Sequence, residues 1–351
     1  LHCFWADNSC SALYLLLAGS SQQKDAAAIT AALQNSFQQP LYHSCDFIHL
    51  RKPFFMPSFE PKDLTPLQLQ AYLQTAVAPR PIAFASTLSA SGKPNLSPFS
   101  FFNVFSSNPP ILIFSPARRV RDNTTKHTLE NVKETREVVI NMVNYDLVQQ
   151  ASLSSTEYAE GVNEFLKSGL TQIPSDIVKP YRVKESPVQF ECKVNDIIAL
   201  GENGGAGNLV ICEVLKIHID EKILNENGQI DQHKIDLVAR LGGNWYSRSS
   251  QGLFEVPKPL TTLGIGVDNI PQFIRKSAIF TGNDLGMLGN IEALPTTQEV
   301  TIFVQQNFAI KGILSADDPI KVQLKAKEYL EHGDVLSAWK ILLAGALQQK
   351  Q

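Results

Sequence analysis

Two stretches of this chain carry side chains suited to holding a ligand. In Pro94-Asn95-Leu96-Ser97-Pro98-Phe99-Ser100-Phe101-Phe102-Asn103, hydroxyls and amides are interleaved with three phenylalanines. Apolar walls with sparse polar groups are what a planar aromatic ligand requires. A strand burying its aromatics beside turn residues has the same pattern. The second stretch, Ser115-Pro116-Ala117-Arg118-Arg119-Val120-Arg121-Asp122-Asn123-Thr124-Thr125-Lys126-His127-Thr128, runs hydroxyls and cations into a helical pattern with Leu129 and Val132 on its apolar face. A helix start presents free N–H groups and a partial positive charge, so Thr124, Thr125, Lys126 and Thr128 could cradle a phosphate dianion. The same residues also suit a capped, solvated helix start.

Other chemistries lack their signatures. The chain has no GxxxxGK[ST] phosphate loop, HExxH zinc helix or GxSxG nucleophile elbow, and the glycines of Gly201 to Gly207 precede no helix and read as a turn. The seven histidines are scattered, with no pair at ligand spacing in the strand-rich region, so no metal site and no catalytic dyad is expected. Cys3, Cys10, Cys45, Cys192 and Cys212 have no CxxC spacing, and their odd number argues against a secreted disulfide framework. Cys192 and Cys212 lie in apolar runs without basic sequence neighbours suited to stabilise a thiolate, which predicts buried, inert thiols. Lys plus Arg number 31 against 34 Asp plus Glu, a net charge of -3, which lacks the basic excess of a nucleic-acid binder. The apolar run Ala12 to Ala18 is far short of the roughly twenty residues of a bilayer span, and its flank Leu1 to Ser11 carries Asp7 but no Lys or Arg. The expectation is a soluble, cytoplasmic protein with no membrane partner.

The elements that must position these residues follow from patterning. With 351 residues, 44% hydrophobic, 19% charged and 9% aromatic, the chain can bury one large core or two modest ones without disulfides. Residues 1 to 55 show weak periodicity and precede the earliest methionine, Met56. They read either as sequence upstream of a start at Met56 or as a poorly ordered extension. Thr65, Pro66 and Gln68 form an N-terminal capping signature, and Leu69, Leu73, Ala76 and Val77 one apolar stripe, predicting a helix from Pro66 to Val77. Ala78-Pro79-Arg80-Pro81 stops it.

Ile82 to Thr87, Ile111 to Phe114, Val138 to Val143 and Leu209 to Ile219 read as strands, with Gly201 to Asn208 as a hairpin loop. Val188, Phe190, Cys192 and Val194 alternate with Gln189, Glu191, Lys193 and Asn195, so one face packs inward and the other meets water or polar partners. Strands without regularly interleaved helices favour an antiparallel barrel or sandwich carrying a few helices. Beyond Pro257 the chain reads as Gly-rich and loop-like, with one short helix at Pro271 to Lys276. After Pro295, Pro319 to Glu331 and Asp334 to Leu347 form a helical hairpin broken at Gly333.

Arg80-Pro81-Ile82-Ala83-Phe84-Ala85-Ser86, the Asn95 to Asn103 stretch, Pro109-Pro110-Ile111-Leu112, the Arg118 to Asn131 stretch, and Glu185-Ser186-Pro187-Val188 with Glu191-Cys192 together resemble the flavin reductase-like family of FMN-binding split barrels, which includes flavoredoxin-like proteins. The resemblance covers residues 56 to 256. Leu263-Gly264-Ile265-Gly266 and Thr281-Gly282-Asn283-Asp284-Leu285-Gly286 look like the extension of a longer subgroup, within 257 to 295, whereas 1 to 55 and 296 to 351 lie outside it.

The resemblance implies a mainly β fold, a six-stranded antiparallel Greek-key barrel. It also implies a homodimer holding FMN near the subunit interface, reduced by NADH or NADPH, with a partner monooxygenase or another acceptor taking the electrons. By the same resemblance Arg80, Asn95, Ser97, Ser100, Phe102 and Asn103 line the flavin ring and ribityl chain. Arg118, Thr125, Lys126 and Thr128 hold the phosphate. Asp122-Asn123-Thr124-Thr125 is longer than the compact Asp-Thr pair of many relatives, which leaves the binding hydroxyl open between Thr124 and Thr125. Trp245 and Tyr246, in Gly242-Gly243-Asn244-Trp245-Tyr246, face the nicotinamide or serve as anchoring aromatics of a loop. Direct hydride transfer between two flat rings needs orientation rather than an acid–base dyad. A flavin-binding electron carrier, or a ligand-binding barrel without turnover, is the alternative.

Overall fold

The computed structural model describes residues 56–259 and 263–348, so the expectations for residues 1 to 55 fall outside the described residues. The chain divides into two compact units, Leu1–Leu64 and Thr65–Gln351. Of the first, the described residues 56–64 hold one short turn of 3-10 helix, Pro61–Asp63.

The second unit opens with the Pro66–Ala76 helix, on the expected capping box. Thr65 Oγ1 accepts from the Gln68 amide at 3.3 Å, and Gln68 Oε1 accepts from the Thr65 amide at 3.0 Å. No residue of this helix is fully buried. Its C-terminal end is held from behind by Arg80, whose guanidinium donates to the carbonyls of Gln74, Val77 (2.6 Å) and Leu241 (3.0 Å). A cation at that end complements the helix dipole.

The strands are β1 (Ala83–Leu88), β2 (Pro94–Phe99), β3 (Phe102–Ser107), β4 (Pro110–Phe114), β5 (Glu137–Met142), β6 (Gln172–Ile173), β7 (Arg182–Val183), β8 (Val188–Ala199), β9 (Asn208–Ile219), β10 (Val238–Arg240) and β11 (Tyr246–Arg248). Seven of them form one antiparallel sheet in the order β2-β1-β5-β8-β9-β4-β3. The expected split barrel is present with seven strands rather than six, and among the described residues no ladder joins β2 to β3. Pro94 and Pro98 leave β2 without two backbone donors, and a register shift between Val104 and Ser106 distorts β3, so neither edge is suited to zip to the other. Only Ser100 and Phe101 separate the two edge strands in sequence, so the sheet must curl until its edges meet at that turn. The result is a split barrel whose seam is the β2–β3 turn.

Inside the barrel, Ala83, Ala85, Phe99, Leu112, Phe114, Leu129, Val132, Val138, Ile140, Val194 and Val210 pack with both predicted buried thiols, Cys192 and Cys212. Burial pushes both thiols up, which keeps them neutral and unreactive. A second core on the opposite face of β1 packs Phe84 and Leu96 against Leu147, Ala151 and Phe165, from the short helices Val148–Leu153 and Glu164–Ser168 and the turn before them.

The polar face of β8 finds partners rather than water along its first half. Gln189 donates to the carbonyls of Val183 and Ser186. Glu191, with 0% of its surface exposed, accepts from the amides of Asp176 (2.8 Å), Ile177 (2.7 Å) and Val178 (3.1 Å) and lies 2.7 Å from His218 Nε2.

The stretch 257 to 295 contains the expected short helix, as Gln272–Arg275, and a second that was not expected, Gly282–Gly289. Glycines at both ends and in the middle of the second one masked it, because glycine is a poor helix former; the Thr281–Asp284 capping box offsets that. These helices share one core with Thr297–Gln306, Phe308–Ser315 and the expected hairpin, Pro319–Glu331 with Val335–Gln348. Its centre is the fully buried Trp339, whose indole N–H donates to the Leu288 carbonyl at 3.0 Å.

Glu191 makes this fold acid-sensitive. Burial alone raises its pKa, but the Asp176 amide, His218 and the Ile177 and Val178 amides outweigh burial and hold it at about 2, below the ordinary 4.5. A depressed carboxyl pKa contributes stability that is present above the unfolded value and is lost as pH falls toward the folded one. Glu191→Gln is therefore expected to lower stability at neutral pH by roughly 3 kcal/mol. It should also flatten the loss of stability between pH 4.5 and 2. Urea titrations across that range check this, and an unchanged acid slope in the variant would contradict it.

Candidate functional site

Three contiguous cavities, of about 600, 20 and 410 Å³, gather at the barrel seam. The β2–β3 turn is their common wall: Pro98 and Ser100 line the largest, Ser97 the smallest, and Phe101 the third. Ser155 is shared by the first two, and Arg119 and Lys126 by the last two.

The cationic corner is built on the start of the His127–Thr135 helix. Lys126 is the N-cap residue, in extended conformation and without a side-chain cap. Among the described residues its ammonium makes no hydrogen bond or ion pair, and the first helical amides, of His127 and Thr128, have no acceptor. Lys126 is half-buried; burial first, then the charge of Arg119, lowers its pKa, while Glu157 opposes that. Arg119 is fixed at Glu157 (2.9 Å), at the Thr124 hydroxyl (2.9 Å) and at the Thr125 carbonyl (2.5 Å). Arg121 also meets Glu157, at 2.9 Å. The corner is therefore cationic, with two arginines sharing one glutamate and a lysine left over.

The glycine turn between β8 and β9 forms one side of this corner. The Arg118 amide donates to the Ala206 carbonyl (2.8 Å) and the Gly205 amide to the Arg118 carbonyl (2.9 Å). A Cβ at Gly204 would stand 3.0 Å from the Arg119 carbonyl oxygen, so backbone passes backbone at a distance that a side chain would obstruct. Beneath the helix start lies a buried polar cluster. Asn95 donates to the Thr128 hydroxyl (2.8 Å), and Asn131 donates to Thr87 (3.0 Å). Glu164 accepts from the Leu96 amide (3.1 Å) and lines the smallest cavity with His127; burial raises its pKa.

The structure brings Asn95, Ser97, Lys126 and Thr128 to the smallest cavity, Ser100 and Tyr246 to the largest, and Arg118 with Lys126 to the third. The remaining expected site residues are not among those lining these cavities. Arg80 is buried, 7% exposed, with its donors spent on carbonyls. Phe102 packs on the barrel core, and Asn103 Oδ1 accepts from the Val104 amide. Thr124 and Thr125 hold Arg119, and Trp245 is 76% exposed.

Sequence reading passed over Arg119, Ser155, Glu157, Glu164, Arg240 and Asn244, together with Leu69 and Leu73 of the first helix, which face the third cavity. Arg119 had a signal in its place beside Arg118, as did Asn244 within the Gly242–Tyr246 motif and Leu69 and Leu73 on the apolar stripe of the first helix. Spacing also missed Asp176, Glu191 and His218, whose ligand-type atoms lie within 4.8 Å of one another. Those atoms are engaged by the three loop amides, by each other and by Lys216.

Comparison with known proteins gives this fold relatives. The flavin reductase like domain model matches residues 76–234. An uncharacterized protein of Aquifex aeolicus is 39% identical over 173 residues, 49% of this chain and 86% of that protein. Another from Halalkalibacterium halodurans is 35% identical over 186 residues, 52% of this chain and 88% of that protein. Among solved structures, nitrilotriacetate monooxygenase component B from Bacillus cereus superposes with a TM-score of 0.54 at 27% identity, over 57% of this chain and 99% of that one. The 2-nitrobenzoate 2-nitroreductase of Pseudomonas fluorescens shares the fold, with a TM-score of 0.53 at 24% identity, over 60% of this chain and 100% of that one. The chain belongs to the flavin reductase-like family. A flavin-linked redox function follows at that level. No helix among the described residues is long and apolar enough to cross a membrane.

The buried cluster below the helix start generates a stability prediction. Asn95→Ala deprives the Thr128 hydroxyl, 1% exposed, of its donor. The expected loss is about 1–3 kcal/mol. Chemical denaturation of the two proteins measures it, and equal midpoints would show that the cluster carries no stability.

Proposed function

We propose that the protein is an FMN-dependent oxidoreductase of the NAD(P)H:flavin reductase type. The observation that carries this reading is the half-buried Lys126, without a partner among the described residues, beside the open start of a nine-residue helix and next to Arg119. Fixed cations and free amides converging on one point suit a phosphate dianion. Bound FMN would supply a two-electron carrier that accepts hydride from NADH or NADPH.

The chain's own part is binding and orientation. Lys126, Arg119 and the His127 and Thr128 amides hold the phosphate; Arg118 braces the loop through Asn123. Asn95 and Thr128 set the helix start, and the Ser97–Phe101 turn offers Ser97, Ser100 and Phe101 as the wall against which the flavin lies. Arg80 acts from behind, by joining the first helix to Leu241. Tyr246 and Asn244 border the largest cavity, where the electron donor would approach, with Trp245 as an outer rim.

A homodimer fits the apolar groups left open on single-chain surfaces: Leu67, Leu73 and Val77 on the first helix, and Val104 and Phe105 on the edge strand β3. Exposed apolar clusters of this kind mark association surfaces. The likeness to a monooxygenase component B supports a partner monooxygenase as acceptor, and a cytoplasmic, reducing setting suits the free thiols of Cys192 and Cys212. By the same reading, residues 56–256 form the flavin domain and the helical remainder an appended module.

The visible spectrum of the purified protein, followed by anaerobic NADH and NADPH, separates enzyme from carrier. Rapid bleaching of a bound flavin band is expected. A yellow protein that neither donor bleaches would instead be the electron carrier. Lys126→Ala should weaken FMN at least about tenfold while changing riboflavin affinity little, because only the phosphorylated ligand loses a charge-assisted contact. Equal losses for both ligands, measured by fluorescence titration, would rule out the phosphate role.

A further inference from the structure

The largest cavity at the seam carries a charge imbalance that the flavin reading does not use. Arg240, at the end of β10, lines this 600 Å³ space and lies over the Tyr246 ring, 4.6 Å from its centroid. Among the described residues its guanidinium has no hydrogen-bond or ion-pair partner. Directly beside it stands Arg80: the two residues pair through backbone hydrogen bonds of 2.9 and 2.8 Å, so their side chains emerge from neighbouring positions.

Arg80 is buried, its Nε has no partner, and its other donors reach only carbonyl oxygens. Burial, and after it the charge of Arg240, lower its pKa. The charge of Arg240 thus acts on Arg80, and neither guanidinium has a carboxylate partner among the described residues. The cavity continues past Val148, Gln149, Ser152 and Tyr246 into a second space of about 320 Å³, where Arg248 lies 3.8 Å over the Tyr145 ring and is neutralised by Asp236 at 2.6 Å, which leaves Arg240 as the unpaired cation. Neither space has an aspartate or glutamate among its described lining residues, whereas Ser100, Ser152, Ser155, Gln149 and Asn244 supply neutral polar groups.

We propose that this cavity is an anion-reading substrate site: it takes a flat aromatic or heteroaromatic molecule bearing a carboxylate or phosphate, with Arg240 as the residue that recognises the anion. A guanidinium stacked on a tyrosine keeps its edge free for bidentate bonding and is held in place at little entropic cost. The surrounding hydroxyls and amides fill the remaining acceptor positions of the anion. Arg80, unable to reach the cavity with its own donors, raises the local positive potential that draws the anion in. The site shares the Pro98–Ser100 wall with the flavin groove, so its role as a substrate site rests on the flavin reading, while its anion selectivity does not.

Two sources offer this chemistry, an aromatic acid that accepts electrons and the phosphate-bearing end of a nicotinamide dinucleotide. Calorimetric titration of the full chain with benzoate, its neutral isostere benzamide, and adenosine 2′,5′-bisphosphate distinguishes them. At least one anion is expected to bind about tenfold or more tightly than benzamide, and Arg240→Gln should remove that advantage, the scale of one charge-assisted hydrogen bond. Preference for benzoate assigns an aromatic acid, and preference for the bisphosphate assigns the dinucleotide.

Because Arg240 also stacks on Tyr246, the comparison of benzoate with benzamide on the unmodified protein stands even if the variant folds poorly. The proposal is overturned if both anions bind no tighter than benzamide, or if a folded Arg240→Gln protein binds them as well as the parent. Flavin content, read independently from visible absorbance, separates the two claims. Anion selectivity without flavin would sink the flavin reading alone, and flavin without anion selectivity would sink this one alone.

Discussion

The hydrogen bond from Asn95 to Thr128 joins an edge strand to the first turn of a helix, and the site depends on that junction. An unpaired strand edge has no ladder to fix its position relative to what lies beyond it. Here β2 is fixed instead by side chains: Asn95 to Thr128 below the helix start, and the Leu96 amide to Glu164 on the other side. Both bonds are buried, where a broken partner costs the desolvation of the group left behind. The seam can therefore stay open without being loose, and an open seam is what leaves room for cavities along the β2–β3 turn.

Charge at the seam is distributed so that it does not cancel. Glu157 serves Arg119 and Arg121 together, and among the described residues Lys126 has no ion-pair partner. Half-buried positive charge of this kind is costly alone and would be favoured by an anion beside it. Glu191, by contrast, is surrounded by three amides and a histidine, and contributes stability rather than binding.

The family match ends at residue 234, while a separate apolar core around Trp339 organises the chain from Ile270 to Ala344. The barrel cores draw on none of these residues, and the helical core draws on none of the barrel strands. The relatives match about half of this chain and most of their own length, and the family model lies wholly within the barrel part.

By itself the sequence determined what local patterning governs. The Thr65–Gln68 capping box, the proline stop, the strands β1, β4, β5, β8 and β9, the inert thiols of Cys192 and Cys212 and the final helical hairpin are all set by neighbours in the chain. The motifs around Asn95, Ser97, Lys126 and Thr128 were legible for the same reason, because a strand turn and a helix start each hold their functional groups within a few residues. Tertiary structure alone decided that Gln189 and Glu191 are covered, that Arg80 braces a helix, and that Thr124 and Thr125 serve Arg119. It also decided that the barrel stays open with seven strands, and that Arg240 and Ser155 reach the seam. Periodicity reports which face of an element is apolar, but it carries no information about which distant segment will lie against the other face.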